Sequence, residues 1–206
     1  MARILSLFPK LDNAAQRLSL ALYRQLARGE PVSTTRLAAA VDRDASAVSE
    51  QLSQWPGVFY DEQGAVIGYW GLSIHPMAHR FRVNGRNLYT WCAWDSLFIP
   101  ELLGETAHVE SFCPVTRTPI RLTVTPQGVE DLQPATAVMS LMLPAHSSVM
   151  SDIAARFCHY VHFFESANAA TRWLPENPST MVVGVGEGFE LGRMKNDIQY
   201  LDQALA

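Results

Sequence analysis

Strand-like and helix-like segments follow one another along this 206-residue chain without a regular β–α–β period, and that irregular order constrains its fold most. A repeating period would specify a doubly wound parallel sheet, whereas irregular mixing specifies an α+β fold. The first eighty residues predict helices and one hairpin. Asn13 to Leu26 carries Ala14, Leu18, Leu20, Ala21, Leu22 and Leu26 at helical spacing, and Gly29 follows as a stop. Ser33 or Thr34 can cap a second helix through Leu37 and Val41, and Asp44 opens a third that runs to Leu52. Val58–Tyr60 and Ala65–Tyr69 flank the turn residues Asp61 to Gly64 as a hairpin.

Three helices and a hairpin form the pattern of a winged-helix unit, here spanning 1–80. The expected recognition helix, Ala45 to Leu52, contains no Arg or Lys, and only Arg43 stands at its entrance. Phosphate contacts and guanine readout depend on those two residue types. With a net charge of −4 as well, no nucleic-acid partner is expected, and the unit reads as a scaffold or cover.

Residues 81–206 read as an α+β catalytic core with an antiparallel-rich sheet. The sequence predicts a strand over Phe81–Val83, a tight turn at Asn84-Gly85 and a strand over Asn87–Thr90. A helix follows from about Trp91 to Leu103, with Pro100 inside it and Gly104 ending it. Strands are expected at His108–Phe112, Ile120–Thr125, Ala137–Pro144, Phe157–Phe164 and Met181–Val185. Helices are expected at about Ser148–Arg156, Ala167–Leu174 and Glu187–Ala204.

With 48% hydrophobic residues the chain can bury a good core, yet no apolar run reaches the roughly 18–20 residues that span a bilayer. The apolar stretch at Ile4–Phe8 is too short for a secretory leader, so a cytoplasmic protein with no membrane partner is expected. The cysteines are Cys92, Cys113 and Cys158. An odd, widely spaced set without a Cys-x-x-Cys pair reads as free thiols.

In Leu88-Tyr-Thr-Trp-Cys-Ala-Trp-Asp, a helix starting at Trp91 puts Thr90 at the N-cap and Cys92 in the first turn, where the helix dipole favours thiolate. Asp95, three residues on, then shares a face with Cys92, and Trp91 and Trp94 shield the pair from water. A thiol beside a carboxylate suits chemistry in which a proton moves. The same local pattern also fits a packing cysteine with a capping carboxylate. A strand reading of Phe157-Cys-His-Tyr-Val-His-Phe-Phe places Cys158, Tyr160, His162 and Phe164 on one face, and it puts His159 and His162 on opposite faces, against a shared zinc. Cys113, before Pro114, reads as structural. The glycine run from Gly184 to Gly188 lacks the spacing of a nucleotide loop. His75 and His79, at i,i+4, lack the glutamate of a metalloprotease helix.

Three cysteine blocks in this order, Leu88-Tyr-Thr-Trp-Cys-Ala-Trp-Asp-Ser-Leu-Phe-Ile-Pro, Phe112-Cys-Pro and Phe157-Cys-His-Tyr-Val-His-Phe-Phe, resemble those of the organomercurial (alkylmercury) lyases. Arg28-Gly-Glu-Pro-Val-Ser and Tyr60-Asp-Glu-Gln-Gly-Ala-Val-Ile-Gly-Tyr extend the resemblance through the N-terminal unit. It implies an enzyme of mercury detoxification that cleaves carbon–mercury bonds by protonolysis. Cys92, Asp95 and Cys158 are then the catalytic and mercury-binding residues, with Cys113 structural. No resident cofactor is implied. An organomercurial is the substrate, small thiols are co-reactants, and Hg(II) leaves as product toward a mercuric reductase. Some family members carry a second cysteine where this chain has His159, which bears on metal release. A mercury carrier, a winged-helix metal-responsive regulator and a cysteine hydrolase are the competing readings.

Overall fold

The structure, a computed structural model, describes every residue except 1, 7, 9, 144–156, 202, 204 and 206, and the side chains of residues 2 and 3 are likewise left aside. The helix expected at Ser148–Arg156 lies outside the described residues. The N-terminal unit begins with a short helix, α1 (Ala2–Leu5), followed by α2 (Asn13–Leu26), α3 (Thr34–Ala40) and α4 (Ala45–Gln54). Each of the last three starts on a side-chain cap. Asp12 accepts from the Ala15 N–H, Ser33 from Arg36, and Asp44 from Ser46 and Ala47. Strands β1 (Val58–Tyr60) and β2 (Val66–Tyr69) form the expected hairpin, its turn fixed by Asp61 Oδ1 accepting from the Gln63 and Ala65 N–H groups.

That hairpin continues into one eight-stranded antiparallel sheet of order β1-β2-β3-β5-β4-β6-β7-β8. Its further strands are β3 (Leu72–Ser73), β4 (His79–Val83), β5 (Arg86–Thr90), β6 (Ala107–Phe112), β7 (Pro119–Thr125) and β8 (Gly128–Gln133). Strands β4 and β6 alternate buried and exposed residues, as expected for a sheet with one face on a core. A second antiparallel sheet, order β10-β9-β11, comprises β9 (Val138–Met142), β10 (Phe163–Phe164) and β11 (Thr180–Gly184). Helix α6 (Ala167–Trp173) precedes β11, and α7 (Val185–Gln199) closes the fold.

The organising element is α5 (Asp95–Leu103), in which every residue is buried. A helix that is apolar on all sides is covered on all sides, and α2, α7, β6 and β7 pack around this one. Gly192 lets α7 approach closely, because a Cβ there would sit 2.8 Å from Cβ of Phe98. Gly188 meets Met139 and Leu97 in the same way, and its carbonyl accepts the Trp94 indole N–H at 2.9 Å. Gly188 and Gly192 are therefore the packing contacts that let α7 lie against α5.

Two expectations around the cysteines are corrected. The helix starts at Asp95, not Trp91, so Thr90 is the last residue of β5 and Cys92 precedes the helix. Backbone bonds hold Trp91 to Ala93 out of the helix: Trp91 N–H donates to Gly71 O, Ala93 N–H to Val161 O, and the Thr90 hydroxyl to Cys92 O. The strand read over Phe157–Phe164 is a 3-10 turn at Cys158–Tyr160, with a strand at Phe163–Phe164 alone. The last helix ends at Gln199.

Candidate active site

Cys92 is fixed between two pieces of chain that differ in sequence position but meet in space, the end of β5 and the 3-10 turn that carries Cys158. Its backbone N–H donates to Oδ2 of Asp95 at 2.9 Å. The same oxygen lies 3.9 Å from Sγ of Cys158. The two sulfurs and a carboxylate oxygen all fall within 4.8 Å of one another. Among the described residues this is the only such cluster of potential soft-metal ligands.

All three side chains are buried, with Cys92 fully so. Burial and the neighbouring Asp95 and Cys158 raise the Cys92 thiol well above its ordinary value. For Cys158 the hydrogen bond with Cys92 pulls downward, but burial and the Asp95 charge outweigh it and leave the thiol raised. Burial also pushes the Asp95 carboxyl up to about 6, against hydrogen bonds from Cys92 and Cys158 and the attraction of Lys195. The helix-dipole expectation for Cys92 is thereby reversed: the thiol lies ahead of α5, beside a carboxylate in a dry site, and is held as the thiol. The arrangement offers protonated sulfur beside a carboxyl raised to about 6, a pairing suited to moving protons.

Aromatic rings enclose the cluster. Phe8, Trp70, Trp91, Trp94, Phe98 and Phe157 line a space of only about 10 Å³ above Asp95 and Cys158. Sequence reasoning identified the two tryptophans that flank Cys92 but not Phe8 or Trp70, which no local spacing connects to the cysteines, and it gave no role to Phe157, although that residue directly precedes Cys158. It also missed Gly71. At φ +94, a Cβ on Gly71 would fall under 3.0 Å from Cβ, Cγ and Oδ1 of Asp95, so the absent side chain is what lets the carboxylate sit there.

The remaining candidates stand apart from the cluster. His79 is buried in β4 against Ser111 Oγ at 2.8 Å, and burial together with His162 lowers it to about 3. His75 lies outside β4 beyond that contact, so the two histidines form no shared site. His159 and His162 likewise join no ligand cluster among the described residues. Cys113 is buried, and although burial alone would raise its thiol, hydrogen bonds from Thr116 and from backbone groups of Glu165, Thr116 and Val115 leave it lowered.

A family model described as alkylmercury lyase matches residues 72–195, and a helix-turn-helix domain of alkylmercury lyase matches residues 9–70. The chain belongs to the alkylmercury lyase family. Its activity is the cleavage of the carbon–mercury bond that gives the family its name. Alkylmercury lyases of Streptomyces lividans and Staphylococcus epidermidis are 44% and 43% identical to it over 172 residues, 84% of this chain and 78% of each relative. That of Pseudomonas putida is 43% identical over 177 residues, 86% of this chain and 82% of the relative. In fold, the chain is similar to a crystal structure of the mercury-bound form of MerB2, with a TM-score of 0.79 over 97% of this chain and 100% of that one, at 20% identity. The α+β architecture with an N-terminal helix-turn-helix unit is thus that of the alkylmercury lyases. No helix among the described residues is long and apolar enough to cross a membrane.

Proposed function

We propose that this lyase cleaves its substrate at Cys92, Cys158 and Asp95 by protonolysis. The observation that carries the reading is the closeness of two buried thiols to one buried carboxylate oxygen. Mercury is soft and thiophilic, so thiolate sulfur is its natural ligand. The substrate arrives as an organomercury–thiol adduct. One site thiol gives up its proton through Asp95 to the departing small thiolate, and its sulfur bonds to mercury. The second thiol passes its proton to Asp95 and also bonds to mercury. Asp95 then delivers that proton to carbon as the carbon–mercury bond breaks. The products are a hydrocarbon and Hg(II) held by two sulfurs, with the carboxylate regenerated. No cofactor is needed for this balance. Small thiols in excess remove the Hg(II), and a mercuric reductase is the partner that receives it.

Titration with Hg(II) tests the two-sulfur site. We expect one tight equivalent whose affinity falls in both Cys92→Ala and Cys158→Ala. Tight binding that neither substitution alters removes the two-thiol mechanism.

A further inference from the structure

We infer that the aromatic groove between the N-terminal unit and the end of α7 is a subsite for the organic group of bulky, above all aryl, mercurials, and that Trp70 is the partition between this subsite and the cysteines. The inference rests on the proposed site at Cys92, Asp95 and Cys158 and extends it to the part of the substrate that those residues do not hold.

The space over Asp95 and Cys158, about 10 Å³, is the size of a single water. A phenyl group cannot be accommodated in it. Directly behind one of its walls lies a second space of about 180 Å³, lined by Leu11, Tyr23, Trp55, Tyr69, Trp70 and Tyr200 among others. An apolar cavity of roughly 150 Å³ takes up benzene, so this second space has the volume that an aryl ring needs. Trp70 is the residue common to both linings.

The chemistry of the groove matches the same ligand. Trp55 stacks on Tyr69 with ring centroids 5.7 Å apart, and Tyr23 lies 5.0 Å from Tyr69. Their polar ends are already engaged. Tyr23 donates to the Trp70 carbonyl at 2.8 Å, and the Tyr69 and Tyr200 hydroxyls meet on Ser19 at 2.9 and 2.7 Å. The groove therefore offers ring faces and no free hydroxyl from these three tyrosines, a surface suited to aromatic and aliphatic groups. Leu11 and Trp55, at its outer side, are only half-buried, so the groove communicates with solvent.

Trp70 has the properties of a movable partition. It stands at φ +35, outside the usual range for a residue with a Cβ, and is followed by Gly71 at +94. Its backbone is pinned by its N–H to Gly57 O at 3.0 Å and by Tyr23 at its carbonyl. The indole is half-buried and lies between the two spaces. Rotation of the indole about a fixed backbone joins them.

The test compares kcat/KM for phenylmercury with that for methylmercury in excess small thiol. In Leu11→Trp, which fills the groove from a residue that does not line the space over the cysteines, the phenyl-to-methyl ratio is expected to fall at least fivefold. In Leu11→Ala, which enlarges it, the ratio of 1-naphthylmercury to phenylmercury should rise. Trp70→Ala should raise the phenyl-to-methyl ratio. That third result alone would also follow if Trp70 merely walled the cysteine pocket, so the Leu11 pair decides. Ratios within twofold of wild type in both Leu11 variants overturn the subsite. Failure of the wild type to turn over methylmercury would instead strike at the proposed site itself.

Discussion

Asp95 reaches back across the start of its own helix to accept the backbone N–H of Cys92 at 2.9 Å with Oδ2, the oxygen that also faces the Cys158 sulfur. One carboxylate oxygen thus stands between the two thiols. The backbone bond fixes the carboxylate independently of its contacts with the two thiols.

The titration of Asp95 sets an acid limit on turnover. Burial first, opposed by the thiol and backbone bonds, places its carboxyl at about 6 rather than near 4. A group that must accept a thiol proton works only when ionised, so kcat/KM should fall as pH drops through about 6. Asp95→Asn is expected to lose about 10²–10⁴-fold in rate, the usual range for a positioned acid–base group. The linkage has the opposite sign for stability. A carboxyl raised in the folded state contributes stability that is present below pH ~4 and lost as pH rises through 6. Asp95→Asn should therefore melt higher than wild type at pH 7.5. An acid limb unchanged in position, or an asparagine variant as active as wild type, would contradict this role.

Gly71→Ala tests the floor beneath the carboxylate. The added Cβ meets Asp95 under 3.0 Å, at a φ of +94 where alanine is strained. A backbone forced into such a region costs about 1–3 kcal/mol, readable as a lower denaturation midpoint in urea. Because Asp95 must shift to make room, turnover should fall by more than the loss of folded protein explains. Rates normal per folded molecule would mean that the position of Asp95 is not critical.

Lys195 is fully buried, its ammonium 3.8 Å from the centre of the Phe98 ring and 3.2 Å from Asn196 Oδ1. Burial lowers it to about 7, against the attraction of Asp95 and Glu101. A lysine depressed in the folded state destabilises fully below pH 7, and that cost is relieved as pH rises toward the unfolded value near 10.4. Melting temperature should therefore climb between pH 7 and about 8.5, above which the raised Cys92 and Cys158 thiols begin to act in the reverse sense. Above pH 10 the buried Tyr23, Tyr69 and Tyr200, all raised by burial, act in the reverse sense. Lys195→Met should flatten the climb and raise stability at pH 7, as thermal melts across that range will show. A slope that persists in the variant would assign it to other groups.

Much of the fold is visible in local pattern because the caps and turns are local. Asp12, Ser33 and Asp44 mark three helix starts, and Asn84-Gly85 marks the β4–β5 turn. Strand β8 escapes notice because it is an edge strand that is largely exposed, so no alternation of apolar residues announces it. The start of α5 is hidden from local pattern for a different reason. Trp91 to Ala93 are good enough helix formers, but hydrogen bonds to Gly71 and Val161, far away in sequence, draw them out of the helix. The same long-range contacts hide Gly71 and Trp70, whose importance depends on Asp95 lying against them. Cys92 and Cys158, 66 residues apart, are linked in the sequence only by resemblance to a family, since neither spacing nor periodicity brings a β5 terminus to a 3-10 turn.

Hydrocarbon release measures the central claim directly. Purified protein is mixed with methylmercury in excess small thiol, and methane is assayed in the headspace for wild type, Cys92→Ala, Cys158→Ala and Asp95→Ala. Repeated turnover by wild type, abolished in both cysteine variants and strongly reduced in the aspartate variant, is the predicted result. Sustained methane production by either cysteine variant would contradict a site built on two thiols and one carboxylate.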